Sequence, residues 1–303
     1  MRQRVISIGE CMVELARGSD GRFGLGFGGD TYNTAVYLAR LGIPTAYATQ
    51  LGDDPYSDGI VAAARAEGVA TDLITQVPGR NAGLYMIETS AAGERTIHYW
   101  RDRAPARELF DDAEDVRVGA AMKTAALVYL SGITLSLYSA QGLEALEAAL
   151  KTAKTAGVRV AIDGNYRPRG WGGDTGRARA TFERFFRLAD IALPTYDDEQ
   201  MLWGDTAPEQ TLARLTAWGI GEIALKRGGD GAIVLADGTR TTVPVPKAVT
   251  PVDTTAAGDS FNAAYLAARL RAEAPADAAR AGHALASIVI RHRGAIVPKD
   301  AMG

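Results

Sequence analysis

The stretch VDTTAAGDSFNAAYLAARL, Val252 to Leu270, changes character halfway. Its first half is small, polar and glycine-bearing, and its second half reads as a helix. A helix that begins near Gly258 gathers the amides of Ala256, Ala257 and Gly258 at its N-terminus. Unpaired N–H groups and the positive end of the helix dipole make such a place an anion site. Small residues let a phosphate reach the backbone. Asp259 follows at once, and a carboxylate there repels an anion that is merely bound. It fits a reaction in which it removes the proton of a substrate hydroxyl while the amides hold a phosphoryl group in transfer. The stretch taken alone supports a second reading equally well. In that reading Asp259 stabilises the helix dipole, worth about 0.3–1 kcal/mol.

Three other stretches carry candidate chemistry. Gly24, Gly26 and Gly29 in GLGFGG match G-x-G-x-x-G. That dinucleotide fingerprint needs a strand directly before it in a βαβ unit, and the preceding RGSDGRF reads as a loop, so the match is set aside. NAGLYMIETSAAGERTIHYWR, 81–101, is two strand-like runs around the turn SAAGE. It reads as a hairpin outside the main sheet, which with ELARGSDGRFGLGFGG forms a small β lid; a hairpin on the sheet edge is the alternative. In a strand, Tyr99 and Arg101 share a face. Arg101 and Arg167 carry guanidinium forks, which suit carboxylates. Arg169 follows two residues after Arg167, and either can be the functional one.

These residues need a frame. RVISIGE reads as a buried first strand, TYNTAVYLARLG as a helix closed by Gly42, and PTAYATQLG as the next strand. The alternation resumes from TAALVYLSG through GAIVLA to the helix after Gly258. Near-continuous apolar strands alternating with helices predict an α/β fold with a parallel or mixed sheet covered on both faces. Ligands in such folds gather beyond the carboxyl ends of the strands. The chain has 303 residues, 47% of them hydrophobic, with a formal net charge of −3. A mildly acidic chain without a Lys/Arg cluster is poorly built to hold nucleic acid. One cysteine, Cys11, excludes a disulfide framework and a CxxC site, and three scattered histidines argue against a histidine-rich zinc site. No run approaches the roughly 20 apolar residues of a membrane span. Glu10 and Glu14 interrupt the first apolar run before a signal-peptide core could form. A soluble, cytoplasmic chain without membrane or nucleic-acid partners is expected.

DTTAAGDSFNAAY resembles the C-terminal signature of the ribokinase-like (PfkB) sugar kinases. Four further segments resemble that family in its order: GGDTYNTAVYLARLG, LGDDPYSDGIVAAARAEGV, LKRGGDGA and SIVIRHRGAIVP. The resemblance spans most of the chain. It implies one domain over 1–303, with a central mostly parallel sheet flanked by helices on both faces. It also implies a β lid from approximately 10–27 and 81–103. An ATP-dependent kinase with Asp259 as base and Ala256, Ala257 and Gly258 as the anion hole follows from it. The rivals are another sugar kinase of the fructokinase or ribokinase type and a non-catalytic sugar-binding protein.

Within the family, GECMVEL, GGDTYNTA, GLYMIETSAAGERTIHYWRDRAPA, YLSGI and DGNYRPRGW most resemble the members acting on the sugar acid 2-keto-3-deoxygluconate. That resemblance places the glycine pair Gly28–Gly29 and Asn33 against the sugar acid, with Tyr85, Tyr99 and Arg101 from the lid and Arg167 after the DGN strand. On the nucleotide side it places Asn165, Arg167, Thr195, Lys226, Gly228, Gly231 and Gly258. His283 falls where the family often has an adenine-contacting asparagine; the other reading is a helix-surface histidine. Thr195 and Asp198 stand where many members have an Asn-x-x-Glu motif. Mg²⁺ is therefore expected through phosphates and water, with Asp198 holding metal-bound water and Glu199 the alternative. Ala256 replaces a common glycine, which is tolerable if its backbone dihedrals are ordinary. Asp253 matches a residue near the monovalent-cation (K⁺) site of some members, or caps a turn. A homo-oligomer is implied by resemblance alone.

Overall fold

The computed structural model describes residues 4–302 apart from 19, 90–94, 112, 113, 247 and 248. Thirteen strands are formed among them: β1 (Val5–Ile8), β2 (Met12–Arg17), β3 (Phe23–Gly28), β4 (Thr45–Gly52), β5 (Ile74–Val77), β6 (Leu84–Thr89), β7 (Arg95–Trp100), β8 (Leu127–Ser131), β9 (Arg159–Asp163), β10 (Ile191–Ala192), β11 (Glu222–Lys226), β12 (Ala232–Ala236) and β13 (Thr239–Val243). Nine of them make one sheet in the order β13-β12-β11-β10-β9-β8-β1-β4-β5. It is parallel from β5 to β11, and β12 and β13 turn back antiparallel.

The apolar strands are continuous because both sheet faces are covered. Successive residues of one strand enter different cores. Ile6, Val128, Leu130, Val160, Ile162, Ile223 and Leu225 enter one; Val5, Leu127, Tyr129, Ala161 and Ala224 enter the other. Side chains alternate across a strand, so a sheet buried on both sides needs apolar residues at every position. The helices Ala140–Thr155 and Thr175–Phe186 supply side chains to the first core. Asp30–Arg40, Ala257–Leu270 and Pro275–Val289 supply the second.

The other four strands form a separate sheet, β3-β2-β6-β7. The expected hairpin is real: β6 and β7 pair antiparallel with Tyr85 opposite Tyr99. Its turn SAAGE lies outside the described residues. In RGSDGRF, read as a loop, the described residues 18 and 20–22 lie outside the strands, while Arg17 ends β2 and Phe23 starts β3, which pairs antiparallel with β2 from Phe23 opposite Arg17 to Gly28 opposite Met12. Glycine depresses strand propensity, and here pairing overrides it. Gly24 and Gly26 are mid-strand in the lid rather than in a turn between strand and helix, so the dinucleotide fingerprint has no structural basis. The chain enters the lid after β1 and returns through Gly29 into the helix Asp30–Arg40. Two crossovers therefore link lid and main sheet beside the carboxyl end of β1. Among the described residues no helix is long and apolar enough to cross a membrane.

Candidate active site

The helix Ala257–Leu270 starts without a side-chain cap; of its first amides, Ala257 N–H turns back to the Thr254 carbonyl at 3.2 Å. Its N-cap Ala256 has φ 59° and ψ 15°, the left-handed region. The condition set for replacing glycine there is not met: an alanine methyl in this region costs about 1–2 kcal/mol. The turn is held in place regardless. Asp253 Oδ1 accepts from the Thr255 amide at 2.8 Å and Oδ2 from the Gly294 amide at 2.8 Å. This is the turn-capping role.

Asp259 is buried in the first turn, and its Oδ2 accepts from Asn33 Nδ2 at 2.9 Å. Burial holds the carboxyl well above the ordinary range. Asp30 and Asp163 raise it further, and the Asn33 hydrogen bond and Lys226 pull it back. A carboxylate with raised proton affinity is a better base toward a hydroxyl.

Asn33 is placed by the glycine pair. A Cβ on Gly29 would sit 2.0 Å from the Glu10 carbonyl oxygen, and one on Gly28 would sit 2.4 Å from Tyr85 Oη. Both positions are glycine because another part of the chain passes against them. Gly29 is the N-cap of Asp30–Arg40, and its extended φ of 173° is open to any residue. Asn33 lies one turn along that helix, where its amide N–H bonds the Gly29 carbonyl at 2.7 Å.

Tyr85 and Tyr99 approach with ring centroids 6.1 Å apart on the lid. The Tyr85 hydroxyl donates to the Glu14 carboxylate, and burial together with Glu14 weakens its acidity. Arg101 forms an ion pair with Glu10. The guanidiniums of Arg101 and Arg169 lie 5.7 and 5.3 Å from the Tyr99 ring centroid. Arg167 Nη1 donates to Asp198 Oδ1 at 2.9 Å and to the Tyr166 carbonyl at 2.8 Å.

On the phosphate side, Lys226 is buried. Its Nζ donates to Asp163 Oδ1 at 3.0 Å and to Asn262 Oδ1 at 2.9 Å. A Cβ on Gly258 would be 3.6 Å from that Nζ, so the ammonium lies directly against the anion turn. Asn165, at φ 38°, donates from Nδ2 to Asp30 Oδ2 at 2.8 Å. Glu199 is pushed up to about 7 by burial and faces away into Arg214, its Oε2 accepting from Nη2 at 2.7 Å. It is thereby removed from the alternatives for metal water. Asp198, also raised by burial, faces the cavity beside Asp197. No group of three or more metal-binding side chains forms among the described residues. The donors on hand are carboxylates, which suit a hard cation held mainly by phosphate and water.

One cavity of about 490 Å³ collects Gly29, Asn33, Tyr85, Tyr99, Arg101, Asn165, Arg167, Thr195, Asp198, Lys226 and Ala256 to Asp259. Gly28, Gly228, Gly231, Arg169, Glu199 and His283 are not in its wall. Gly231 has φ 85°, and a Cβ there would meet the Val243 carbonyl at 2.3 Å. His283 is not a surface residue. It is buried, packs edge-on against Phe261 at 5.1 Å, and donates from Nε2 to the Val243 carbonyl at 3.2 Å. A larger cavity of about 780 Å³ also lies against the lid, near Tyr56 and Trp100. It shares only Tyr99 and Arg101 with the first and holds none of Ala256 to Asp259, so the site residues expected from the sequence gather in the smaller one.

Sequence reasoning missed Glu10, Asp30 and Asp163 in the cavity wall, and Asn262 beneath it. Two carried a signal. Glu10 and Asp163 are acids closing near-continuous apolar runs, at the carboxyl ends of β1 and β9, where ligands of such sheets gather.

A family model described as pfkB family carbohydrate kinase matches residues 2–302. A 2-dehydro-3-deoxygluconokinase of Dickeya dadantii is 41% identical, covering 99% of this chain and 98% of its own. One from Escherichia coli K12 is 40% identical over 100% of this chain and 99% of its own. Among solved structures, a 2-dehydro-3-deoxygluconokinase of Thermotoga maritima superimposes with a TM-score of 0.87 at 23% identity, over 100% of both chains. An Escherichia coli protein described as a putative ribokinase II in complex with ATP and Mg²⁺ gives 0.85 at 24% identity, over 97% of this chain and 94% of its own.

Proposed function

The chain belongs to the PfkB family of carbohydrate kinases, and we propose that it transfers the γ-phosphoryl group of ATP to the 6-hydroxyl of 2-keto-3-deoxygluconate. One observation carries the phosphoryl-transfer reading. The buried Asp259 carboxylate, held by Asn33, is the third residue of a helix without a side-chain cap, in a cavity roofed by the lid. The choice of sugar acid is supported by the full-length relatives of that activity and by the arginines at the cavity.

The residues divide the work. Asp259 takes the proton of the 6-hydroxyl, and its raised proton affinity suits that task. The Ala256–Gly258 amides, with the Lys226 ammonium against the turn, face the charge of the transferring group. Donors fixed toward developing charge contribute roughly two to three orders of magnitude each. Arg101 and Arg167 receive the carboxylate of the sugar acid, Tyr85 and Tyr99 cover the sugar, and the lid excludes water. Asn165 and Thr195 face the nucleotide phosphates. Gly228 and Gly231 shape the nucleotide loop, and His283 backs the adenine end through Phe261. Asp198 would hold a water of Mg²⁺, which when bound to the ATP phosphates would neutralise their charge. A K⁺ near Asp253 and assembly into homo-oligomers in the cytoplasm complete the reading.

A coupled ADP-release assay across 2-keto-3-deoxygluconate, fructose and ribose tests the substrate. The sugar acid should be turned over with the highest kcat/KM, and equal turnover of a neutral sugar would refute the choice. Asp259→Asn should lower kcat by about 10²–10⁴ while ATP binding and Tm are retained. A folded, ATP-binding variant with near wild-type turnover would remove Asp259 as the base.

A further inference from the structure

The Glu10 side chain is 1% exposed, yet it stands in the wall of the sugar cavity. It lies where the chain leaves β1 for the lid, and Arg101 reaches it from the residue just past β7. A Cβ on Gly83 would lie 2.7 Å from Glu10 Oε1, so glycine there keeps open the space this carboxylate fills. The contact is ionic and incompletely satisfied. Glu10 Oε2 and Arg101 Nη2 meet in the ion pair, while Glu10 Oε1 and Arg101 Nε are buried with no hydrogen-bond partner. Such donors and acceptors at a cavity wall are waiting for a ligand.

The charged and titratable groups around Glu10 are few. Arg101 follows β7, Arg107 comes from the 3₁₀ segment Pro105–Glu108, and Asp30 opens its helix. Cys11, Tyr47 and Tyr138 are neutral neighbours. Burial favours the protonated carboxyl, Arg101 and Arg107 oppose it, and Asp30 reinforces burial.

A sugar acid would bring a second carboxylate to a guanidinium that Glu10 already occupies. Two carboxylates sharing one buried site cannot both remain ionised at low cost. We propose that Glu10 admits the substrate carboxylate to Arg101 by taking one proton from solvent as the sugar acid binds and returning it when product leaves. Neutral Glu10 still accepts from the guanidinium and so keeps Arg101 in position, while the substrate supplies the opposing charge. A neutral sugar would displace nothing and take up no proton at Glu10. Glu10 is thus a positioning residue that also sets the charge preference of the pocket. The inference rests on the sugar-acid reading above.

The test is calorimetry of 2-keto-3-deoxygluconate binding at about pH 7.5 in buffers of different ionisation enthalpy, for the wild type and Glu10→Gln. KM is measured alongside from roughly pH 6 to 9. The wild type should take up a proton that Glu10→Gln does not. Its KM should climb with pH by up to about tenfold per unit, the linkage for one proton. The glutamine variant should show a flatter KM and bind the acid more tightly than wild type at the alkaline end. A purely structural Glu10 gives no such gain. Equal proton uptake and equal pH slopes in the two proteins overturn the proposal. So does a wild type that binds the acid without proton uptake, which needs no variant to fold. If the acid supports no ADP release, the function is refuted and this inference falls with it. An acid turned over without Glu10-dependent proton uptake refutes only the role of Glu10.

Discussion

Gly29→Ala probes whether the site is built by close approach of two chain segments. The added Cβ would lie 2.0 Å from the Glu10 carbonyl oxygen, 3.1 Å from the Glu10 carbonyl carbon and 3.3 Å from Cys11 Cα. All three are backbone atoms, so no side chain can swing aside. Real Cβ contacts stay beyond 3.0 Å, so relief needs at least 3.0 − 2.0 = 1.0 Å of backbone movement. The segment that can move is the start of Asp30–Arg40, which carries Asn33 and through it the Asp259 carboxylate. A displacement of about 1 Å in a catalytic constellation can cost 10²-fold in rate. Overpacking should lower stability by about 1–3 kcal/mol. Steady-state ADP release, measured well below the variant's own unfolding transition, should show kcat/KM down by about two orders of magnitude. The control is Gly24→Ala, where the only heavy atom near the new Cβ is the Ala16 carbonyl oxygen at 3.9 Å; its kcat/KM should be unchanged. A Gly29→Ala enzyme within threefold of wild type would show that the helix start tolerates displacement and that Asn33 does not position the base.

Ala256→Gly should raise Tm, because it relieves a left-handed alanine costing about 1–2 kcal/mol, less the entropy a glycine returns to the unfolded chain; a fall in Tm on thermal unfolding would contradict the strain. Arg101→Ala should raise KM for the sugar acid by about 10-fold or more, the worth of a charge-assisted hydrogen bond, and leave KM for a neutral sugar nearly unchanged; equal losses on both would mean the arginine only supports the lid. Lys226→Met removes a charge that lowers the proton affinity of Asp259. Asp259 would then stay protonated to higher pH, so the acid limb of the kcat/KM profile should move up in pH. The same change strands Asp163 as a buried charge and should cost about 3–5 kcal/mol by denaturant unfolding. An unmoved acid limb in a folded variant would separate Lys226 from the base.

The frame was legible because its signal is periodic. Near-continuous apolar runs meant a sheet buried on both faces, and the two cores entered alternately by Val5 and Ile6 are the physical reason. The lid was legible only in part. β6 and β7 alternate visibly, whereas β3 is glycine-rich and becomes a strand through pairing with β2, which no local preference reports. The anion turn and Asp259 are neighbours in sequence, so they could be read together. The partners that give Asp259 its properties are 226 positions away at Asn33 and lie on other strands at Asp163 and Lys226. Spacing along the chain does not encode such contacts. Ala256 shows the converse limit: a left-handed backbone is dictated by the turn around it, and alanine is an unfavourable residue there.

The pairing pattern of the cavity fits Asp259 as the base of the proposed transfer. Glu10 faces Arg101, Asp198 faces Arg167 and Asp163 faces Lys226, each across an ion pair. Asp30 and Asp259 instead bond the neutral amides of Asn165 and Asn33. A cation beside a carboxylate favours its charged form and weakens it as a base, whereas an amide orients it at a much smaller cost in basicity. Burial raises the proton affinity of both, as it does that of the ion-paired Glu10 and Asp198, and Asp30 raises that of Asp259 further. Of these two, only Asp259 lies next to the anion turn in the sequence. Asn33 is accordingly a neutral tether. A lysine at that position would hold Asp259 as firmly and make it a poorer base.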